Sequence, residues 1–381
     1  MTGTEYDTDF LSFEDIKRAG KVVPFQVVKE MLEHTEPLKL NLVTTDGTED
    51  ISFSVPDAWN VDLKALDDSV ITSVKMTLRG EEFLLTKRAV LILLKLIGLS
   101  DRYAYKAPGH LIEPHINFWF ANEGVGSSVD VNVVTKDKYV VSFMGPEQQI
   151  LSNLEVLEQI RKYLAKEYDV QDLYVDPNIV NNYVETSFRL IFPERGFSVT
   201  TVRDEGPETD HWHYGIHVAN SLTGTTPLTI DGFMVEERSL AGILPEFAQT
   251  GKYDRSRASD VDDLRGWVRS CVDQIMAILP AEGDIVEHMP TQKLAGKIGA
   301  LTTDIFRSMK VHRKVQEVAL ENLTLSGDMT AYGVMHSLAK ATAVDSDFPE
   351  KIVRHVQKVG GALPHRTEDI CDGCGRLHLF D

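Results

Sequence analysis

Val184-Glu-Thr-Ser-Phe-Arg-Leu-Ile-Phe192 sets Val184, Phe188, Leu190 and Phe192 in alternation with Glu185, Ser187 and Arg189. That period-two pattern is the mark of a strand with one face buried. A second run, Phe197 to Arg203, follows the break Pro193-Glu-Arg-Gly196, and His211–Ala219 and Leu228–Glu236 close the series. Beyond Pro245 the period changes. Val261, Leu264, Val268, Val272, Ile275 and Leu279 recur at helical spacing, with Ser259 or Asp260 as a cap. Two further helical stretches are expected, at about 293–323 and 330–359.

Upstream, residues 21–80 read as mixed short strands with a turn at Thr45-Asp46-Gly47. Thr86 can cap a helix running to Ile97, and Gly98 is placed to stop it. This helix is apolar on most sides, so a central position is expected. Val129, Val131 and Val133, then Tyr139, Val141 and Phe143, flank Lys136-Asp137 as a hairpin. Leu154, Leu157, Ile160 and Leu164 mark an amphipathic helix ending near Tyr168. The order is mixed, then β-rich, then helical. The expected class is α+β, with a mixed and antiparallel β-rich core, packed helices and an all-helical C-terminal portion. The expected organisation is a loosely ordered arm at 1–20, an α+β core at 21–245, a helical region at 246–361 and a tail at 362–381.

Of the 381 residues, 43% are hydrophobic and 25% charged, an ordinary globular balance that argues against wholesale disorder. The net charge is −19, of which residues 1–290 carry −20 while the remainder is +1. An acidic body repels nucleic acid and anionic membranes unless a local basic patch overrides it. Three cysteines cannot build a disulfide framework, which points to a reducing compartment. The most apolar run, Ala89–Ile97, is interrupted by Lys95 and far shorter than a membrane span, and the N-terminus shows no signal-peptide pattern. A soluble, cytoplasmic protein with no membrane partner is expected.

Three blocks resemble the phage/plasmid-like protein family, a domain of unknown function. The first is Leu85-Thr-Lys-Arg-Ala89 with Leu99-Ser-Asp-Arg-Tyr103 and Ile116-Asn-Phe-Trp-Phe120. The second is Gly215-Ile-His-Val-Ala-Asn-Ser-Leu-Thr-Gly224, and the third is Ala331-Tyr-Gly-Val-Met-His-Ser-Leu-Ala-Lys-Ala-Thr342. They stand in family order across roughly residues 80–360. The family's Cys-x-Asn-Gly segment is replaced here by Arg238-Ser-Leu-Ala-Gly242, without Cys or Asn. The resemblance implies a tailed-phage or plasmid origin and an early, non-virion role in the host cytoplasm. It supplies no catalytic residue.

Three constellations could carry chemistry. Cys371-Asp-Gly-Cys374 has knuckle spacing, and His378 with His365 would complete a structural, four-ligand zinc site. The plain alternative is a tail whose thiols bind nothing. In Asp210-His211-Trp-His213-Tyr-Gly-Ile-His217, strand alternation puts all three histidines opposite Trp212, Tyr214 and Ile216. They could chelate a metal with Asp204, Glu205 or Glu208 for hydrolysis, or form a solvent-facing surface. Lys293, Lys297, Arg307, Lys310, Arg313 and Lys314 are opposed only by Asp304. Lys293 with Lys297, and Arg307 with Lys310 and Lys314, would each share a helix face and bind phosphates. The plain alternative is a solvated helix face, or docking onto the acidic body of a neighbouring subunit.

No Walker A, nucleophile elbow or dinucleotide fingerprint is present. Gly124-Val-Gly-Ser-Ser128 lacks a following Lys and reads as a loop, Cys271 as an inert core thiol, and Asp260, Asp262 and Asp263 as a helix start. The leading expectation is a non-enzymatic protein of nucleic-acid metabolism that binds or anneals single-stranded DNA, working as a homo-oligomer. The alternatives are an acidic factor that binds a host protein and a metal-dependent hydrolase.

Overall fold

A computed structural model of the protein describes residues 22–35, 40–45, 51–64, 70–121, 131–145, 148, 150–176, 180–181, 186–203, 206–222, 227–254, 261–294, 298–343 and 348–366. The expected arm at 1–20, Asp46-Gly47, the glycine-rich 124–128 stretch, Asp204, Glu205, Asp260 and Lys297 lie outside these residues, as do Cys371, Cys374 and His378. The class is α+β.

One sheet has six strands in the order β2-β6-β7-β5-β4-β3: β2 (Leu40–Thr45), β3 (Ile51–Ser54), β4 (Ile71–Leu78), β5 (Glu81–Thr86), β6 (Val131–Lys136) and β7 (Tyr139–Met144). Neighbours are antiparallel except β5 and β7, which pair in parallel at Leu84–Tyr139. The turn between β6 and β7 places Asp137 at a φ of 52°, a left-handed position that Asp tolerates better than most residues.

Helix α2 (Lys87–Leu96) begins where expected, because the Thr86 hydroxyl accepts from the Ala89 amide at 3.2 Å. Gly98, at a φ of 73°, ends that segment. Its Ala89, Val90, Leu93 and Leu94 are buried, but Leu96 is exposed, so the helix is embedded along one face rather than surrounded.

After the short α3 (Asp101–Ala104), α4 (Gly109–Ala121) seals the edge strand β3. Asn117 accepts from the Phe53 amide at 2.7 Å and donates to its carbonyl at 2.9 Å, and Glu113 accepts from the Val55 amide at 2.8 Å. Side chains thus satisfy backbone groups that an open edge would present to another chain. Gly109 permits the approach, since a Cβ there would stand 2.1 Å from the Val55 carbonyl oxygen.

The second sheet has seven strands, all antiparallel: β1 (Val23–Pro24), β8 (Tyr174–Val175), β10 (Thr186–Arg203), β11 (Gly206–Asn220), β12 (Thr229–Glu236) and β13 (Gly242–Ile243) in that order, with β9 (Val180–Asn181) also on β10. The sequence suggests two strands separated by Pro193–Gly196. The structure makes them one, absorbing the break as a bulge between Phe192 and Gly196. Gly196 is needed there, because a Cβ would meet the Trp212 carbonyl oxygen at 1.9 Å.

One face of this sheet carries Phe188, Leu190, Trp212, Ile216, Val218, Ile230 and Met234, all buried. These pack with α6 (Val261–His288), which contributes Val268, Val272, Ile275 and Leu279 at the spacing read from the sequence. Helices α1 (Phe25–Thr35) and α5 (Asn153–Glu167, capped by Ser152) join the same core.

The helical C-terminal portion is present but divided differently. The stretches expected at 293–323 and 330–359 become α7 (Ile298–Ser308), α8 (Arg313–Ser326), α9 (Ala331–Lys340) and α10 (Glu350–Arg366). Lys293 is not helical; it forms a β-bridge with Thr330. Val315, Leu338 and Val356 share the core of the second sheet, so these helices pack onto the strands rather than forming a layer of their own. Strands β3 to β7 with α2 and α4 hold a separate hydrophobic core. Among the described residues, no helix is long and apolar enough to cross a membrane.

Candidate nucleic-acid interface

The period-based stripe from Arg307 to Lys314 requires one continuous helix, and the backbone denies it. The Lys310 amide donates to the Arg307 carbonyl and the Val311 amide to Phe306, closing α7 in a Schellman turn. Lys310 occupies the left-handed position usually given to glycine, at a φ of 56°. Chain direction therefore changes between Arg307 and Arg313, and the stripe becomes a cluster around a turn. Arg307, Lys310, Arg313 and Lys314 are all exposed. Arg313 faces Glu317 at 3.0 Å with 90% of its side chain accessible, and Asp304 lies one turn back along α7. No side chain caps the N-terminus of α8, and its first turn holds no acid. Its free amides and the positive end of its dipole therefore add to the cations.

Tertiary packing brings two further groups. His355 of α10 meets the Met309 carbonyl at 3.2 Å, and the His312 and Phe348 rings stand edge to face at 6.4 Å. Lys351 is exposed one turn before His355 on α10. His355 was not legible as part of the cluster, since about 45 residues separate it from Lys310 and periodicity reports only neighbours within one helix. Lys293 is exposed ahead of α7 and stands in the Lys293–Thr330 bridge rather than on a helix, while Lys297, its expected partner, lies outside the described residues.

The histidine strand keeps the alternation read from the sequence, but its outward face is not solvent throughout. His211 is exposed, His213 is half-buried beside Glu237, and His217 is fully buried. Cross-strand register aligns Arg189, His217 and Asp231 in one row over β10, β11 and β12. Helix α10 covers that row: Glu350 binds Arg189 at 2.7 Å and accepts from the Ser187 hydroxyl at 2.8 Å, and Arg354 reaches Asp231 at 3.1 Å. Burial works to raise the Glu350 carboxyl, but the nearby His217 ring, the Arg189 guanidinium and the Ser187 hydroxyl outweigh it and hold it at about 2. Burial pushes the His217 imidazole below its usual value.

Ser187, His217 and Glu350 have the composition of a hydrolytic triad but not its wiring. The hydroxyl and the carboxylate both approach Nε2, at 2.9 and 3.8 Å, while Nδ1 makes no hydrogen bond. A relay needs the acid on the nitrogen opposite the nucleophile, and a nucleophile that substrate can reach. Ser187 is fully buried, so the cluster fastens α10 to the sheet.

A second buried network lies on the opposite face. The Trp212 indole donates to the Tyr332 hydroxyl at 3.0 Å, and that hydroxyl donates to Asp210 at 2.8 Å. His336, one turn along α9 from Tyr332, stands between Asp210 and Glu236 at 3.6 and 3.8 Å. Burial opposes ionisation of Glu236, yet His336 and the Ser239 hydroxyl hold it at about 2. Tyr332 and His336 fall in the third block of the sequence resemblance, but no role was read for either.

Among the described residues no group of His, Cys, Asp and Glu is arranged to hold a metal ion. Of the expected zinc ligands only His365 is described. Its Nε2 meets Glu282 at 2.9 Å and its ring stands edge to face with Phe247 at 4.7 Å. Cys271 is a core thiol, with burial pushing it up to about 11. No family model, curated protein or solved structure matches this chain.

Proposed function

We propose that the protein binds nucleic acid, contacting the phosphate backbone of a single strand at the α7–α8 turn. One observation carries this reading: Arg307, Lys310, Arg313 and Lys314 are exposed on either side of an uncapped helix N-terminus, with His355 of α10 held at the Met309 carbonyl beside them. Phosphate recognition needs mobile cations and backbone donors on one accessible surface. The −20 carried by residues 1–290 repels a nucleic acid elsewhere, so it restricts the direction of approach. A flexible single strand can lay successive phosphates on so compact a patch, where a rigid duplex would also face the acidic body. The likeness of three sequence blocks to the phage/plasmid-like family supports an early role in nucleic-acid metabolism.

Fluorescence anisotropy with a single-stranded oligonucleotide over a salt series tests the reading. If roughly four phosphates are neutralised, the logarithm of affinity should fall with that of salt at a slope of about −3. Lys310→Glu, Arg313→Glu and Lys314→Glu together should abolish binding. No binding by the wild-type protein at low salt, or equal binding by the triple variant, would overturn it.

A further inference from the structure

A second cationic site lies between α5 and α6, where Lys162 and Lys166 on one helix face Arg265 and Arg269 on the other. They line a cleft of about 250 Å³ floored by Tyr163 and Val268. In each helix the two cations are four residues apart, so each wall presents its pair on one side. Among the described residues, no acidic side chain lines the cleft. The nearby carboxylates stand outside it or are engaged elsewhere. Glu158 is shared by Lys29, Arg161 and Lys162 at 3.2–3.5 Å. Glu167 and Asp262 pair with Lys166 and Arg265 at the surface, at 2.6 and 3.4 Å. Such exposed pairs are weak and exchange readily for a better anion.

Asp273, one turn beyond Arg269 on α6, accepts from the Tyr163 hydroxyl at 2.9 Å and from that of Tyr168 at 2.6 Å. Burial and Asp273 push Tyr168 up to about 12, so the phenol stays protonated and keeps hold of the carboxylate over the whole working range of pH. Arg269 lies over the Tyr163 ring, 5.6 Å from its centre, which orients its guanidinium before any ligand arrives.

We infer that the α5–α6 cleft binds a phosphate-bearing ligand, whose phosphoryl oxygens would take the place of Glu167 and Asp262 as partners of Lys166 and Arg265, with Lys162 and Arg269 beside them. Guanidinium forks and ammonium groups on two walls suit a tetrahedral oxyanion, which offers acceptors in several directions. The cleft has room for a phosphate or diphosphate group and is open to the rest of a larger ligand. The phosphate can belong to a free nucleotide or to a nucleic-acid strand. The site stands on its own residues and does not depend on the α7–α8 turn.

Calorimetric titration at low salt with inorganic pyrophosphate, and separately with a single-stranded oligonucleotide, tests the assignment. Wild type is compared with Lys166→Glu plus Arg265→Glu, with the milder Lys166→Gln plus Arg265→Gln, and with the triple turn variant, each checked for an unchanged thermal melt. Loss of about tenfold or more in pyrophosphate affinity in both cleft variants, with the turn variant unaffected, is the expected result. A matching loss for the oligonucleotide identifies a strand as the source of the phosphate, and a loss confined to pyrophosphate identifies a free nucleotide. Absence of pyrophosphate binding to wild type, or wild-type affinity in the milder cleft variant, overturns the inference. Oligonucleotide binding that depends on the turn alone would then leave only the proposed function standing.

Discussion

The covered face of the second sheet and the α7–α8 turn both collect arginines, lysines and histidines, and they use them in opposite ways. Arg189 is 4% exposed and held by Asp176 at 3.3 Å and by Glu350 at 2.7 Å. Arg313 is 90% exposed and shares one contact with Glu317. Removing a partner from the first leaves a charge stranded in low dielectric, while the second is surrounded by water that replaces any partner at small cost. The strand rich in histidines, which invites a catalytic reading by composition, is therefore fastened structure. The lysines and arginines around the turn, ordinary in composition, remain available to a ligand.

If that contrast holds, the largest effect belongs to Arg189→Met, which strands Asp176 and Glu350 and should cost about 3–5 kcal/mol in urea unfolding. A loss below about 1 kcal/mol would erase the difference between the two regions. Acid should act next. Glu236 and Glu350 are held at about 2 in the fold against a usual 4.5. Depressed carboxyls contribute stability that is complete above the unfolded value and disappears as pH falls through the folded one. Each therefore supplies about 3 kcal/mol that is lost between pH ~4.5 and ~2. Glu350→Gln should flatten that part of the stability profile, and an unchanged slope would mean that Arg189 does not hold the carboxylate.

Tyr332→Phe should cost about 1–3 kcal/mol, because it leaves the Trp212 indole and Asp210 without their shared hydroxyl. At the turn the changes in stability shrink and can reverse. Lys310→Gly should raise stability by up to about 1 kcal/mol, since glycine takes the left-handed position without strain, while oligonucleotide binding weakens. The triple Glu variant should stay within about 0.5 kcal/mol of wild type in denaturation although its binding is abolished. A large loss of stability there would make the cations structural and collapse the comparison.

Elements whose signal is local were legible. Thr86 and Gly98 bracket α2, Leu154 to Leu164 mark α5, and the recurrence from Val261 to Leu279 runs through α6, because caps and periodicity act over a few residues. The divisions were less so. Pro193–Gly196 reads as a break, but pairing with β11 on the other side carries β10 across it as a bulge. Met309–His312 carries no glycine or proline, yet the chain turns there because the Schellman hydrogen bonds and the buried Phe306 and Val311 favour two helices over one.

Strand alternation already separated the three histidines from Trp212, Tyr214 and Ile216, and the cations from Arg307 to Lys314 were visible as a run. Both follow from backbone geometry, which repeats every two or 3.6 residues whatever surrounds it. Whether a face meets water is settled by what packs on it. Helix α10 brings Glu350 to Arg189 and His217, and His355 to the Met309 carbonyl beside Lys310. The pairing of Lys162 and Lys166 with Arg265 and Arg269 likewise exists only once α5 and α6 lie side by side. Charge and burial depend on groups far apart in the chain, and no local period encodes them.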